Sequence, residues 1–173
     1  MPKIHTHLHL ALKLSKKINI SDVDSFFLGS AYPDAWKTST EKSLQYHYKK
    51  EAYEECNLEA FMKNEPMDDF NLGYYFHLWI DNRILETDTS DINKQDCLIC
   101  DMEAILPMIQ HLRELKLTGK RYEAFQNILC LESEPMLLYR VPEMRKKKYE
   151  EILDKLVNEF IKELCYDSTY TTK

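Results

Sequence analysis

The sequence predicts an all-α fold, a compact multi-helix bundle forming a single domain over residues 1–173, and three observations carry that expectation. Apolar residues recur every three or four positions along most of the chain, the spacing that gathers them on one helix face. Glycine and proline are scarce, 3 and 6 in 173 residues, leaving few residues for the tight turns of a strand meander. Hydrophobic residues at 44% and charged residues at 30% make a globular balance with enough apolar material for one core.

Taken in order, Ile4, Leu8, Ala11, Leu12, Leu14 and Ile18 place a first helix from about Thr6, its N-cap, to about Lys17. Ser21 with Asp24 three residues on resembles a capping box that opens a short apolar turn, Phe26 to Leu28, which Gly29 ends. Residues 29–36 read as a structured loop, because Pro33 disfavours helical geometry at Tyr32. Leu44, His47, Tyr48, Tyr53, Leu58 and Phe61 suggest one helix from about Ser43 to Lys63, with Pro66 beyond it. A helix from Asp68 or Asp69 to Ile84 is apolar on most faces and therefore central, with acidic residues at its start to suit the dipole.

Residues 86–96 are polar and loop-like, and Cys97-x-x-Cys100 sits in the approach to a helix from about Asp101 to Leu117 that Gly119 stops. A shorter helix follows near Tyr122 to Leu131. Pro142 opens the last helix, whose Met144, Tyr149, Ile152, Leu153, Leu156, Val157, Phe160, Ile161 and Leu164 form its apolar stripe. Its basic run Arg145 to Lys148 is flanked by acids and reads as a solvated face. From about residue 166 the tail is expected to fray.

A formal net charge of -6 without a basic stripe argues against a nucleic-acid partner. The N-terminus lacks the apolar core of a signal peptide and no stretch reaches the length of a membrane span, so the expected location is cytoplasmic, with no transmembrane segment. Five scattered cysteines, an odd number, read as thiols rather than a disulfide framework.

Chemistry concentrates in histidine and aspartate. His77 and Asp81 are four residues apart and share one face of the central helix, where a nitrogen and a carboxylate oxygen could reach one divalent ion. An isolated pair of this kind is more often a hydrogen bond on a helix surface. The weight comes from Asp34, in the proline-led loop, and His47 on a separate element: two imidazoles and two carboxylates together neutralise a divalent cation inside a bundle. His5, His7 and His9 point in different directions on a helix, and His7 is the chosen ligand; an extended segment would align all three, which keeps His5 and His9 open. His111 and Glu114 share a helix face and read as a solvent-facing pair.

Thr6-His7, Gly29 through Tyr32-Pro33-Asp34, His47, and Gly73 through His77-Leu78-x-x-Asp81 together resemble the zinc-dependent phospholipase C family in order and spacing. The resemblance covers about the first half of the chain and is nearest to the small cytosolic bacterial branch. It implies the phospholipase C / single-strand nuclease fold, with Asp34, His47, His77 and Asp81 on one metal, and His7 with a bridging Asp81 on a second. The implied cofactor is Zn2+, one or two ions, although the same donors accept other divalent metals. The secreted enzymes carry a further ligand set soon after the position of Asp81; here no histidine occurs from there until His111, so the resemblance carries two ions, not three. The implied activity is hydrolysis of a small phosphodiester or phospholipid by a metal-activated water, with Asp34 positioning or deprotonating that water. Tyr32, Trp36, Tyr74 and Trp79 are read as core more than cleft wall. The alternative function is a noncatalytic, metal-stabilised helical scaffold or interaction protein, whose ion would be enclosed rather than open to water.

Overall fold

The computed structural model describes residues 3–36, 39–84, 93–130 and 140–166. Among these the chain forms α1 (Ile4–Ser15), α2 (Val23–Ala31), a 3-10 turn (Tyr32–Trp36), α3 (Thr40–Tyr46), α4 (Leu58–Asn64), α5 (Asp69–Ile84), α6 (Lys94–Leu112), α7 (Lys120–Cys130) and α8 (Glu143–Tyr166). The fold is an all-α bundle, as the periodicity predicts. No described helix is long and apolar enough to cross a membrane.

The bundle is organised around α5, buried on most faces as expected, which packs against α1, α2, α4 and α8. Its closest neighbour is α2, and two glycines explain how close. A Cβ on Gly29 would stand 1.8 Å from the Phe70 carbonyl oxygen, and one on Gly73 would stand 2.0 Å from the Phe26 carbonyl oxygen. Each helix presents a glycine to the other's backbone, so the axes approach to a distance that no side chain permits. Gly29 is therefore not the stop the sequence suggested. It lies inside α2, whose N-cap is Asp22 rather than Ser21: the Asp22 carboxylate accepts the backbone N–H of Ser25 at 2.9 Å. Tyr32 at the end of α2 keeps helical geometry, φ -63° and ψ -42°, because the chain tightens directly into the 3-10 turn instead of extending before Pro33.

Helix α1 packs against α2, α5, α6 and α8, and its first eight residues are all buried, His5, His7 and His9 included. It begins at Ile4 behind Lys3, which makes no side-chain cap. Thr6 is not the cap. Its hydroxyl is committed elsewhere, donating to Asp101 of α6 at 2.7 Å.

The single helix expected over 43–63 is two short ones. Tyr48 adopts φ +54°, a left-handed geometry that ends α3, and α4 restarts at Asn57, whose side chain accepts the Ala60 N–H at 2.8 Å. Tyr53, counted toward the helical pattern, is 99% exposed in the connecting segment. Asn82 of α5 pins that segment by accepting from the Cys56 N–H at 2.7 Å and donating to the Cys56 carbonyl at 3.0 Å.

Helix α6 starts at Lys94, capped by Asn93, so Cys97 and Cys100 stand within a helix rather than in an approach loop. It ends at Leu112, before Leu117; Gly119, at φ +57°, sits just ahead of α7. The last helix follows Pro142 as predicted. The expected loop residues 86–92, Leu131 and the tail beyond residue 166 lie outside the described residues.

The glycine contact yields a direct expectation. Gly29→Ala or Gly73→Ala drives a methyl into a backbone carbonyl that cannot rotate away, and each should cost about 3 kcal/mol or more, the upper end of overpacking penalties. Gly119→Ala, with nothing within 4 Å of its would-be Cβ, should cost only the left-handed backbone penalty of about 1–2 kcal/mol. Thermal unfolding followed by circular dichroism ranks the three variants.

Candidate metal centre

The five residues singled out by sequence converge on one buried point. Helix α1 supplies His7, the 3-10 turn supplies Asp34, the C-cap of α3 supplies His47, and α5 supplies His77 and Asp81. None is more than 4% exposed. Ligand-capable atoms form two overlapping triads, His7, His77 and Asp81 on one side and Asp34, His47 and His77 on the other, each with its atoms within 4.8 Å of one another.

Two imidazoles are locked from behind by backbone carbonyls. His77 Nδ1 donates to the Ser30 carbonyl at 2.8 Å, and His47 Nδ1 donates to the Ser43 carbonyl at 2.7 Å. These bonds place the ring proton on Nδ1 and leave Nε2 as a lone pair. The two Nε2 atoms then face each other at 3.4 Å. Two neutral acceptors at that distance repel unless something positive lies between them. Protonating His77 is not an easy remedy, since burial, followed by the nearby His7, pushes its pKa down to about 3 against the pull of Asp34 and Asp81.

The carboxylates complete the arrangement. His47 Nε2 stands 3.6 Å from Asp34 Oδ1 and 3.6 Å from Asp81 Oδ2; His77 Nε2 stands 3.9 Å from each of the same oxygens. On the other side His7 Nε2 approaches Asp81 Oδ1 at 3.3 Å, while its ring stacks on His77 with centroids 3.6 Å apart. These separations are longer than normal hydrogen bonds of about 2.7–3.2 Å. Donors about 2.0–2.1 Å from a tetrahedral zinc stand roughly 3.3–3.4 Å apart, which is close to the spacing seen here. Asp81 turns one oxygen toward each triad. Burial works to raise its pKa, and His7, with His77 and His47, outweighs burial and holds the group below the usual carboxylate range.

A comparison within the chain separates this cluster from ordinary buried polarity. Asp81 and Asp101 are equally buried, at 1% exposure. Asp101 is saturated: Thr6, His9 and Tyr149 all donate to it, at 2.7 to 3.0 Å. Among the described residues neither oxygen of Asp81 and neither nitrogen of His7 makes a well-formed hydrogen bond, the long 3.3 Å His7–Asp81 approach being the nearest to one. A buried carboxylate short of donors is costly, and a cation is a partner that it and its neighbours could share. The residues present therefore fit a divalent metal by donor type, spacing and unmet hydrogen-bonding capacity.

Of the three N-terminal histidines, only His7 lies in one of the two triads. His9 is taken up by Asp101, and His5, though buried, belongs to neither triad. His111 is exposed and pairs with Asp24 of α2 at 3.1 Å, remote from both triads and without Glu114 as a co-ligand. Cys97 and Cys100 have thiols that burial pushes up to about 12 and about 11, so they stay protonated and poor as nucleophiles or ligands. Tyr32, Tyr74 and Trp79 are core residues, and Trp36 packs at the core's edge against Tyr46. Sequence reading missed Thr6, Asp101 and Tyr149 as one network. Asp101 lies 95 residues from Thr6 in the chain, and no local spacing signals that contact.

No family model, curated protein or solved structure matches this chain.

If the cluster is a cation site, metal should stabilise the fold by mass action. Zinc supplied at about 1,000 times its dissociation constant adds roughly 4 kcal/mol, an upward shift in Tm of about 8–16 °C for a chain of this size. The shift should reverse with a chelator and vanish in His77→Ala, as read by differential scanning calorimetry.

Proposed function

We propose that this protein is a metal-dependent phosphodiester hydrolase resembling zinc-dependent phospholipase C, with one or two zinc ions held by His7, Asp34, His47, His77 and Asp81. The observation that carries the reading is the pair of triads sharing His77, with Asp81 directing one oxygen to each. A shared carboxylate between adjacent cation positions is the layout of two-ion phosphoesterases. The order of the same residues along the chain supports the family assignment.

Bound divalent ions supply an acidified water and positive charge for the phosphoryl oxygens. The chain's own part is positional. The Ser30 and Ser43 carbonyls hold the Nε2 lone pairs of His77 and His47 inward. Asp34 presents Oδ1 to both imidazoles, and its second oxygen is the group assigned to orient the attacking water and take its proton. The net charge of -6 disfavours nucleic acid and leaves a small phosphodiester or a phospholipid headgroup as substrate class.

One observation favours a second reading. Every ligand is at most 4% exposed, and enclosed metal sites are structural more often than catalytic. In that case the protein is a metal-stabilised helical scaffold whose ion has no position for water.

Elemental analysis of purified protein, then hydrolysis of bis(p-nitrophenyl) phosphate with zinc restored, separates the two. The hydrolase reading expects one or two equivalents of metal, turnover that a chelator abolishes, and a fall of about 100-fold or more in kcat for Asp34→Asn, within the usual range of general-base effects. Metal uptake with a raised Tm and no turnover of this diester or of phospholipid vesicles would support the scaffold. No metal in parent or His77→Ala, even after reloading, sinks both.

A further inference from the structure

Around His7 the structure holds an unusual asymmetry. Among the described residues the imidazole makes no well-formed hydrogen bond on either nitrogen; it rests on the His77 ring and approaches Asp81 at a long 3.3 Å. His77 and His47 are steered by carbonyls, and His7 has no such guide. What aims it must be the placement of α1 itself.

That placement is set one residue before and two residues after His7. Thr6 Oγ1 donates to Asp101 Oδ2 at 2.7 Å, and His9 Nδ1 donates to Asp101 Oδ1 at 2.9 Å. One carboxylate of α6 thus grips α1 at two points flanking the ligand. Tyr149 of α8 closes the grip from the far side, its hydroxyl reaching Asp101 Oδ1 at 2.8 Å and Oδ2 at 3.0 Å. Burial, then the Asp101 charge, raises the Tyr149 pKa, so the phenol stays a donor. With donors on both oxygens Asp101 has no need of a metal, and it belongs to neither triad. Two bonds to one carboxylate fix both the rotation of α1 about its axis and its slide along it, the two freedoms that would swing His7 off Asp81.

We propose that Asp101 is a positioning residue for the ion position that His7 serves, acting through Thr6 and His9 to hold α1 in register. The proposal rests on the two-ion reading above. Removing the grip leaves His77, His47, Asp34 and Asp81 untouched, so the two cation positions should respond differently. The position built on Asp34, His47 and His77 keeps its affinity. The position built on His7 loses about 10–100-fold, the usual effect of losing a group that orients a ligand.

The test is titration of metal-free full-length protein with Co2+, following visible absorbance, and with Zn2+ by calorimetry, for the parent, His7→Ala, Asp101→Asn and Thr6→Val. The expected result is two equivalents in the parent and one tight equivalent in His7→Ala. In Asp101→Asn the second equivalent should weaken by about 10–100-fold while the first is unchanged and the helical circular dichroism is retained. Thr6→Val, which removes one of the two bonds to α1 with little change in shape, should move the second equivalent the same way by a smaller factor, and it carries the test alone if Asp101→Asn does not fold. A merely structural role for Asp101 would lower the melting temperature and leave both affinities in place, and that result overturns the proposal. Fewer than two equivalents in the parent overturns the two-ion reading and the proposal with it, so the parent and variant arms report the two failures separately.

Discussion

A buried carboxylate ringed by imidazoles governs this structure. Asp81 sits at the centre of the bundle among three imidazoles, and among the described residues neither of its oxygens makes a well-formed hydrogen bond, His7 standing off Oδ1 at 3.3 Å. Left alone, such a group is among the more expensive things a core can contain, and a carboxylate in that position would ordinarily attract a serine, a tyrosine or a backbone N–H. The chain shows at Asp101 of α6 that it can supply those donors, using Thr6 and His9 of α1 and Tyr149 of α8. At Asp81 it instead supplies imidazoles, of which His77 and His47 turn their Nδ1 protons to backbone carbonyls. The arrangement is consistent as a receptor for a cation and poor as a self-contained polar network.

The geometry of the centre is tied to the tightest contact in the fold. Gly29 precedes Ser30, whose carbonyl steers His77, and Gly73 is one helical turn before His77. The Cβ that Gly73 lacks would come 2.9 Å from the Ser30 backbone nitrogen. Packing between α2 and α5 and orientation of the His77 imidazole are therefore one constraint. An intrusion that separates the helices also lengthens the bond holding Nε2 inward, so stability and cation affinity should rise and fall together at these positions.

Much of this was readable in advance where local periodicity and spacing carry the information. The all-helical class, the boundaries of α5 and the start of α8 follow from apolar stripes and from Pro142. His77 and Asp81 are visible as a pair because four residues make one helical turn. The misjudged elements share a different cause. Gly29 and Thr6 are residues with strong local preferences, for a helix stop and a cap, that long-range packing overrides. Tyr48 breaks the expected helix over 43–63 by taking a left-handed geometry that no local motif demands. The Asp101 grip was invisible because it joins Thr6, Asp101 and Tyr149 from three distant segments, each unremarkable in its own neighbourhood.

The distribution of these groups along the chain bears on the order in which the protein is made. All five side chains of the buried His/Asp cluster occur within residues 7–81, whereas Asp101 and Tyr149 follow on α6 and α8. During synthesis the complete donor set leaves the ribosome while the helices that grip and cover α1 are still unmade. If the cluster takes up an ion, that ion can meet these side chains while they are still open to solvent, before the later helices cover them. On the metal-binding reading, an ion loading during translation would find these side chains open, whereas one loading after folding has to reach them through the finished bundle.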